Sequence, residues 1–390
     1  MQTPDTEPPP MDIAALAGRL ADRGTLFIGS DIYRHSRYGR KHPLAIPRVG
    51  TVIDICRAMG WLPDAAYADS PRATPRQLAR FHDPAYIALV QKAEADQHLS
   101  PDERDRANIG KIENPIYPEV FRRPATAAGG SILAGAVLAS APRGIVYSPG
   151  GGTHHGRPDR ASGFCFFNDP VLGILAMLDH GAERILYVDL DAHHGDGVEA
   201  AFHDDDRVFT ISIHEEGRWP RTGAATDRAG GAARNLPVPP DFNDSELDHV
   251  LEAAVLPLGR AHQPDIVVVQ GGCDALHDDP MSRLALSNRA LWYAVRRLVR
   301  LAPRALVLGG GGYNPWAVGR CWSGIWATLN GLDPDVAPTP AAQAVLRDIV
   351  WHHRYGHNPP DHWFTTLADP PRRGPVRDEV KRVVEAVLAP

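Results

Sequence analysis

The sequence predicts an α/β fold: a single domain on a mainly parallel, multi-stranded sheet with helices on both faces. Two observations carry this expectation. Four times, a stretch with helical apolar spacing is followed by a short apolar run rich in β-branched residues. Parallel strands need a crossover, usually a helix, so this alternation marks a sheet covered on both sides. Each apolar run also opens directly into a turn rich in glycine or aspartate that carries a reactive polar side chain.

The elements follow in chain order. Ile132, Ala136 and Val137 lead to the run Gly144-Ile145-Val146-Tyr147. Asn168 and Asp169 are good N-caps, Pro170 suits a first helical position, and Val171, Ile174, Leu175 and Leu178 fall at helical spacing before a stop at Gly181. Ile185-Leu186-Tyr187-Val188 comes next, a compact run of the kind buried on both faces. Leu247, Val250, Leu251, Ala254 and Leu258 precede Ile266-Val267-Val268-Val269. Leu291, Ala294, Val295, Leu298 and Val299, closed by Pro303, precede Ala305-Leu306-Val307-Leu308. No Gly/Ser linker or internal repeat divides the chain. Residues 1–24 read as a proline-rich N-terminal tail, and composition shifts little between residues 25 and 330, so one α/β domain is the simplest reading.

Composition excludes several classes. Hydrophobic residues at 43% and charged residues at 23% are ordinary for a soluble globular protein. A net charge of -6, with no basic stripe, argues against direct nucleic-acid binding. Cys56, Cys165, Cys273 and Cys321 form no CxxC pair, so they read as free thiols in a reducing compartment. No apolar run approaches the roughly 20 residues of a membrane span, and the acidic, proline-rich start is no secretory signal. A cytoplasmic enzyme with no membrane partner is expected; the oligomeric state is not legible.

The chemistry lies in the turns. The first run is followed by Pro149-Gly150-Gly151-Gly152-Thr153-His154-His155, the second by Asp189-Leu190-Asp191-Ala192-His193-His194-Gly195-Asp196. The third is followed by Gln270-Gly271-Gly272-Cys273-Asp274, the fourth by Gly309-Gly310-Gly311-Gly312-Tyr313. Ligands of open α/β sheets bind at the carboxyl ends of the strands. Alternate side chains of a strand point the same way, so Asp191 and His193 can converge, with Asp274 approaching from another strand end. Two carboxylates and one imidazole leave room for water and substrate, as a catalytic divalent cation requires. His154 and His155 suit general acid–base work, and Tyr313 suits a hydroxyl donor to an oxyanion. Asp189 and Asp196 remain to fix the histidine tautomers.

The segments PGGGTHH, GFCFFND, ILYVDLDAHHGDGVE, VFTISIH, QGGCDAL and LGGGGYNPWAVGRCW, in that order, resemble the histone-deacetylase superfamily, including its bacterial acetoin-utilisation-type amidohydrolases. The resemblance runs from about Asp31 past Trp326, and the tail to Leu388 is similar to the bacterial members. It implies the arginase/deacetylase-like fold, a catalytic domain at 25–388, and zinc on Asp191, His193 and Asp274; two carboxylates and one imidazole would equally accept Fe2+ or Co2+. It implies His155 as the general base paired with Asp196, and His154 as a mainly electrostatic partner paired with Asp189. Tyr313 matches the tyrosine that polarises the acyl carbonyl. A structural potassium ion is implied at Asp189, Asp191, His193 and Ser212. For the substrate tunnel the resemblance implies Gly163 and Phe164 as one wall, with Trp219 where many relatives carry phenylalanine. Glu113 stands where a loop carboxylate, often Asp, holds the substrate backbone. Met281 stands at a rim position where polyamine-preferring members carry glutamate, which ranks polyamines lower.

The expected activity is metal-dependent deacetylation of Nε-acetyl-lysine in proteins or peptides. The alternatives are a small acylated amine or ester as substrate, and a silent acyl-lysine binding module. An arginase-like two-metal enzyme is disfavoured because Cys273-Asp274-Ala275 offers a single carboxylate. The histidine-dense segment from Trp351 to His357 reads as packing or surface, His214 as packing near the cleft, and residues 204–206 as a solvated turn.

Overall fold

The computed structural model describes residues 12–36, 38–39 and 42–389. Its eight strands are β1 (Thr25–Gly29), β2 (Tyr67–Asp69), β3 (Gly144–Ser148), β4 (Ile185–Asp189), β5 (Val208–Glu215), β6 (Ala233–Val238), β7 (Ile266–Gln270) and β8 (Arg304–Leu308). They form one sheet in the order β2-β1-β3-β8-β7-β4-β5-β6. Every pairing is parallel, which confirms the expected fold class. The four strands expected from sequence are β3, β8, β7 and β4, and they are neighbours at the centre of the sheet.

Strand periodicity separates two cores. Leu186 and Val188 of β4, Val267 and Val269 of β7 and Val307 of β8 face one helical layer. Their neighbours Ile185, Tyr187, Ile266, Val268, Leu306 and Leu308 face the other. Alternate residues point to opposite faces, so a strand covered on both sides must be apolar throughout. On one side lie the helices Val49–Ala58, Asn288–Leu298 and Pro315–Leu329; on the other lie Arg122–Ser140 and Asp169–Asp179.

Part of the presumed N-terminal tail is instead a docked helix. Ile13–Arg23 starts at Asp12, whose carboxylate accepts the Ala15 N–H at 2.9 Å, and ends at Gly24 with φ 79°. It buries Leu16, Ala17 and Leu20 in the same layer as Leu133, Val137 and Val146. The proline-rich composition stops at Pro10, and the helical spacing begins only afterwards. Residues 1–11 lie outside the described residues. The helix expected through Leu258 is also broken: Asp244–Val250 and Leu256–His262 flank a π-helical turn, Leu251–Val255. The helix ahead of β8 ends at Leu298, before Pro303. Among the described residues, no helix is long and apolar enough to cross a membrane.

Candidate active site and metal centre

The turns after β3, β4, β7 and β8 leave the same edge of the sheet from neighbouring strands. Those after β3 and β8 touch: a Cβ on Gly152 would stand 2.5 Å from the Gly310 nitrogen. The β3 turn is pinned from below by Asp169, whose carboxylate accepts the N–H groups of Gly152 (3.0 Å) and Thr153 (2.7 Å) and the Ser131 hydroxyl (2.6 Å). Gln270, the last residue of β7, donates to the Gly152 carbonyl at 2.9 Å.

Asp191, His193 and Asp274 meet in the centre, with one ligand atom from each lying within 4.8 Å of the others. His193 Nδ1 is 3.1 Å from Asp191 Oδ1 and 2.9 Å from Asp274 Oδ2. Such spacings suit three ligands at about 2.0–2.2 Å from one ion. Burial and the charge of Asp191 push the Asp274 carboxyl up to about 6. Two desolvated carboxylates side by side are costly unless a cation lies between them. The Gly-rich turn after β8 is cut to fit this cradle. Gly311 donates its N–H to Asp191 Oδ2 at 2.6 Å, and a Cβ there would overlap the Asp274 carboxylate. The donor set therefore fits a divalent cation such as zinc.

His154 and His155 stand beside the triad with ring centroids 3.9 Å apart. Each Nδ1 faces its own buried carboxylate at 2.7 Å: Asp189 for His154, Asp196 for His155. Asp189 is held in turn by the Tyr187 hydroxyl (2.7 Å) and the Asp191 N–H (3.0 Å), and Asp196 is held by the Arg157 guanidinium. The two imidazoles are pushed in opposite directions. Burial opposes a proton on His154, but the carboxylates of Asp189 and Asp191 outweigh it and hold its pKa up at about 9. Burial and the neighbouring His154 push His155 down to about 3.

Tyr313 is buried and lines a cavity of about 60 Å³ together with His154, His155, Gly163, Phe164, Asp191 and His193. That is space for about two waters, the size of a small acyl group. Phe164 faces Tyr313 with ring centroids 5.9 Å apart. Trp219 is 42% exposed and packs edge-on against His155 at 4.6 Å. Glu113 turns its carboxylate to the Gly163 N–H at 2.5 Å. Met281 is half-buried, donates its N–H to Asp279 at 2.9 Å, and does not line this cavity. Ser212 is the register partner of Asp189, which brings together the two side chains expected at the monovalent site; its hydroxyl lies 2.9 Å from His214 Nδ1.

Several supports escaped sequence reading. Asp169 passes for a helix cap, yet Asn168 caps that helix and Asp169 reaches back to residues 152–153. Asp279 accepts the Tyr313 N–H at 2.6 Å across 34 positions of the chain, a contact with no local signal. Arg157 on Asp196 has no local signal. Of the histidines set aside, His353 stacks on Trp351 at 4.6 Å and His214 is buried with Nε2 on the Gly223 carbonyl. Among the described residues, the triad is the one cluster with metal-holding geometry.

Comparison with known proteins agrees with this geometry. The family described as "Histone deacetylase domain" matches residues 42–329. The "Acetoin utilization protein AcuC" of Bacillus subtilis (strain 168) is 30% identical over 325 residues, covering 80% of this chain and 84% of that protein. "Histone deacetylase 9" of Arabidopsis thaliana is 34% identical over 312 residues, covering 78% and 72%. For the "Putative histone deacetylase 2" of Caenorhabditis elegans, 33% identical, the match spans 77% of this chain but 60% of that protein. Two solved structures, an HDAC homolog from Aquifex aeolicus and an HDAC homolog complexed with SAHA, each superpose with a TM-score of 0.88 at 34% identity. Each covers 94% of this chain and 100% of the solved chain.

Proposed function

The chain belongs to the histone deacetylase family, and on that premise we propose that it hydrolyses N-acyl amides, chiefly the acetyl amide of Nε-acetyl-lysine in proteins or peptides. The observation that carries this reading is the convergence on one cavity of a three-residue metal cradle, two carboxylate-backed imidazoles and a tyrosine. We assign the catalytic domain to residues 25–388, with the helix Ile13–Arg23 docked on it.

Asp191, His193 and Asp274 would hold zinc, or Fe2+ or Co2+ in its place. The bound cation supplies Lewis acidity, which polarises an acyl carbonyl and acidifies water. His155 is held neutral by burial and by the neighbouring His154, and Asp196 fixes its Nδ1 as the donor. Its Nε2 is thereby free to take a proton from attacking water and pass it to the leaving amine. His154, whose Nδ1 faces the Asp189 carboxylate at 2.7 Å, would lower the energy of negative charge developing beside it. The Tyr313 hydroxyl, protonated throughout because burial raises its pKa well above the usual phenol value, donates to the oxyanion. Potassium at Asp189, Ser212 and the main chain of Asp191 and His193 would stiffen the same loop.

The test is a panel of N-acyl-lysine peptides and acetylated small amines, assayed with protein stripped by a chelator and reloaded. Turnover of acetyl-lysine peptides is expected only in the reloaded protein. Activity confined to small amines would replace the peptide reading by a small-molecule one, to which the similarity to an acetoin-utilisation protein lends support. No turnover of any acylated amine would favour a binding module, against which the complete set of ligands and Tyr313 argues.

A further inference from the structure

The tunnel wall beside His155 has an unusual backbone. Gly163 and Phe164 both adopt positive φ, 53° and 68°. A positive φ is costly for a bulky residue, so Phe164 keeps it only because its surroundings impose it. The cause is crowding. A Cβ at 163 would overlap the Trp219 ring and stand 2.6 Å from His155 Cδ2, so the chain must pass between indole and imidazole as bare backbone before turning Phe164 toward Tyr313.

Two consecutive residues of a distant loop hold this shape. Glu113 Oε1 accepts the Gly163 N–H at 2.5 Å, and Asn114 Oδ1 accepts the Phe164 N–H at 3.0 Å. Asn114 is fully buried and donates to the Asn108 carbonyl at 3.1 Å. The Glu113 carbonyl is tied to His42 Nε2 at 3.2 Å, and the His42 ring packs edge-on against Phe164 at 4.4 Å. The clamp thus receives two successive amide N–H groups, in the way a rim carboxylate would receive those of an extended substrate. Here the groups belong to the enzyme. Re-aiming Glu113 outward would leave the Gly163 N–H without its acceptor and release a strained wall. The large apolar side chains exposed beside the clamp and the dyad, Ile112 at 94% and Trp219 at 42%, offer no side-chain acceptor in its place.

Resting on the deacylase reading above, we propose that Glu113 is a positioning residue for the tunnel wall and not a grip on substrate backbone. Recognition then ends at the acyl-aminoalkyl group, and the substrate class is any acylated primary amine whose chain fits the tunnel, with the flanking peptide bonds unread.

The test compares an Nε-acetyl-lysine peptide with the same peptide N-methylated at both amides flanking the acetyl-lysine, using metal-loaded wild-type protein. Wild-type kcat/KM is expected to change less than fivefold; a larger loss means the backbone is read and overturns the proposal. Calorimetric binding of the same pair carries the same threshold. A protein that binds both equally without turnover would sink the hydrolase reading while upholding this one. Glu113→Ala is expected to lower kcat about tenfold on both peptides with KM unchanged, and Glu113→Gln, which keeps the acceptor, to restore it. A KM increase confined to the unmethylated peptide would show that Glu113 grips substrate.

Discussion

His154 and His155 are neighbours in sequence whose basicities are pushed in opposite directions, and the difference comes from which carboxylates face each ring. His154 meets Asp189 and, at 3.9 Å, Asp191; His155 meets Asp196, whose charge is already shared with Arg157. Like charges 3.9 Å apart between ring centres would repel strongly in a buried pair, so a proton on one ring disfavours a proton on the other, and burial makes His155 the ring held neutral. In the proposed mechanism the remaining demand, stabilisation of the oxyanion, falls to Tyr313. Tyr313→Phe removes one hydroxyl and leaves the ring packed against Phe164. We expect kcat to fall by roughly 10²–10³, the typical loss for a single oxyanion donor, while calorimetry shows an acyl-lysine ligand binding as before. Unchanged kcat in this variant would remove Tyr313 from the chemistry.

At the scale of elements, the side chains proposed to react were legible as a cluster because each follows a buried strand in the next turn, where local spacing shows it. Their supports were not. Asp169 acts on residues 16 and 17 positions earlier in the chain, and Gln270 reaches Gly152 across 118 positions, and no sequence period records such contacts. β2 and β6 escaped for a different reason: one is three residues long and the other contains Pro237. His82 is a further hidden support. Its Nδ1–H donates to the Arg157 carbonyl and its Nε2 accepts the Asn168 N–H, both at 2.9 Å. A second proton would point straight at an N–H, and burial pushes the His82 pKa down to about 4. The unfolded chain takes up that proton near 6.5 and the folded chain does not, so this contribution is complete above pH 6.5 and is lost as pH falls towards 4. At about 1.4 kcal/mol per unit the loss is on the order of 3 kcal/mol. Asn168 also donates to the carbonyls of His154 and Gly156, so the dyad loop is the element that loosens. Urea unfolding at pH 7 and pH 5 measures this, and His82→Gln is expected to flatten the difference by about one proton. An equal slope in the variant would place the titration elsewhere.

At the scale of the molecule, the sheet divides the labour between its two ends. The carboxyl ends of its central strands hold the cavity. The start of β3 is closed by the helix Ile13–Arg23, where Leu20 would meet any Cβ placed on Gly144. The tail assignment and the docked helix make opposite statements about that segment, and they can be separated. A tail contributes nothing to stability. A helix with Leu20 fully buried against β3 and the helix Arg122–Ser140 does, and Leu20→Ala should cost about 2–5 kcal/mol, as cavity-forming substitutions of leucine do. Leu20 packs among Leu133, Val137 and Val146 in the layer that also holds Ile266 and Leu306, and it touches none of the reacting groups. Its loss should therefore lower the thermal midpoint while kcat and KM, measured well below that midpoint, stay at wild-type values. Stability equal to wild type would return residues 13–24 to the tail, and a fall in kcat at full occupancy of the folded state would mean that strain at the lower end of the sheet reaches the turns that hold His154 and His155.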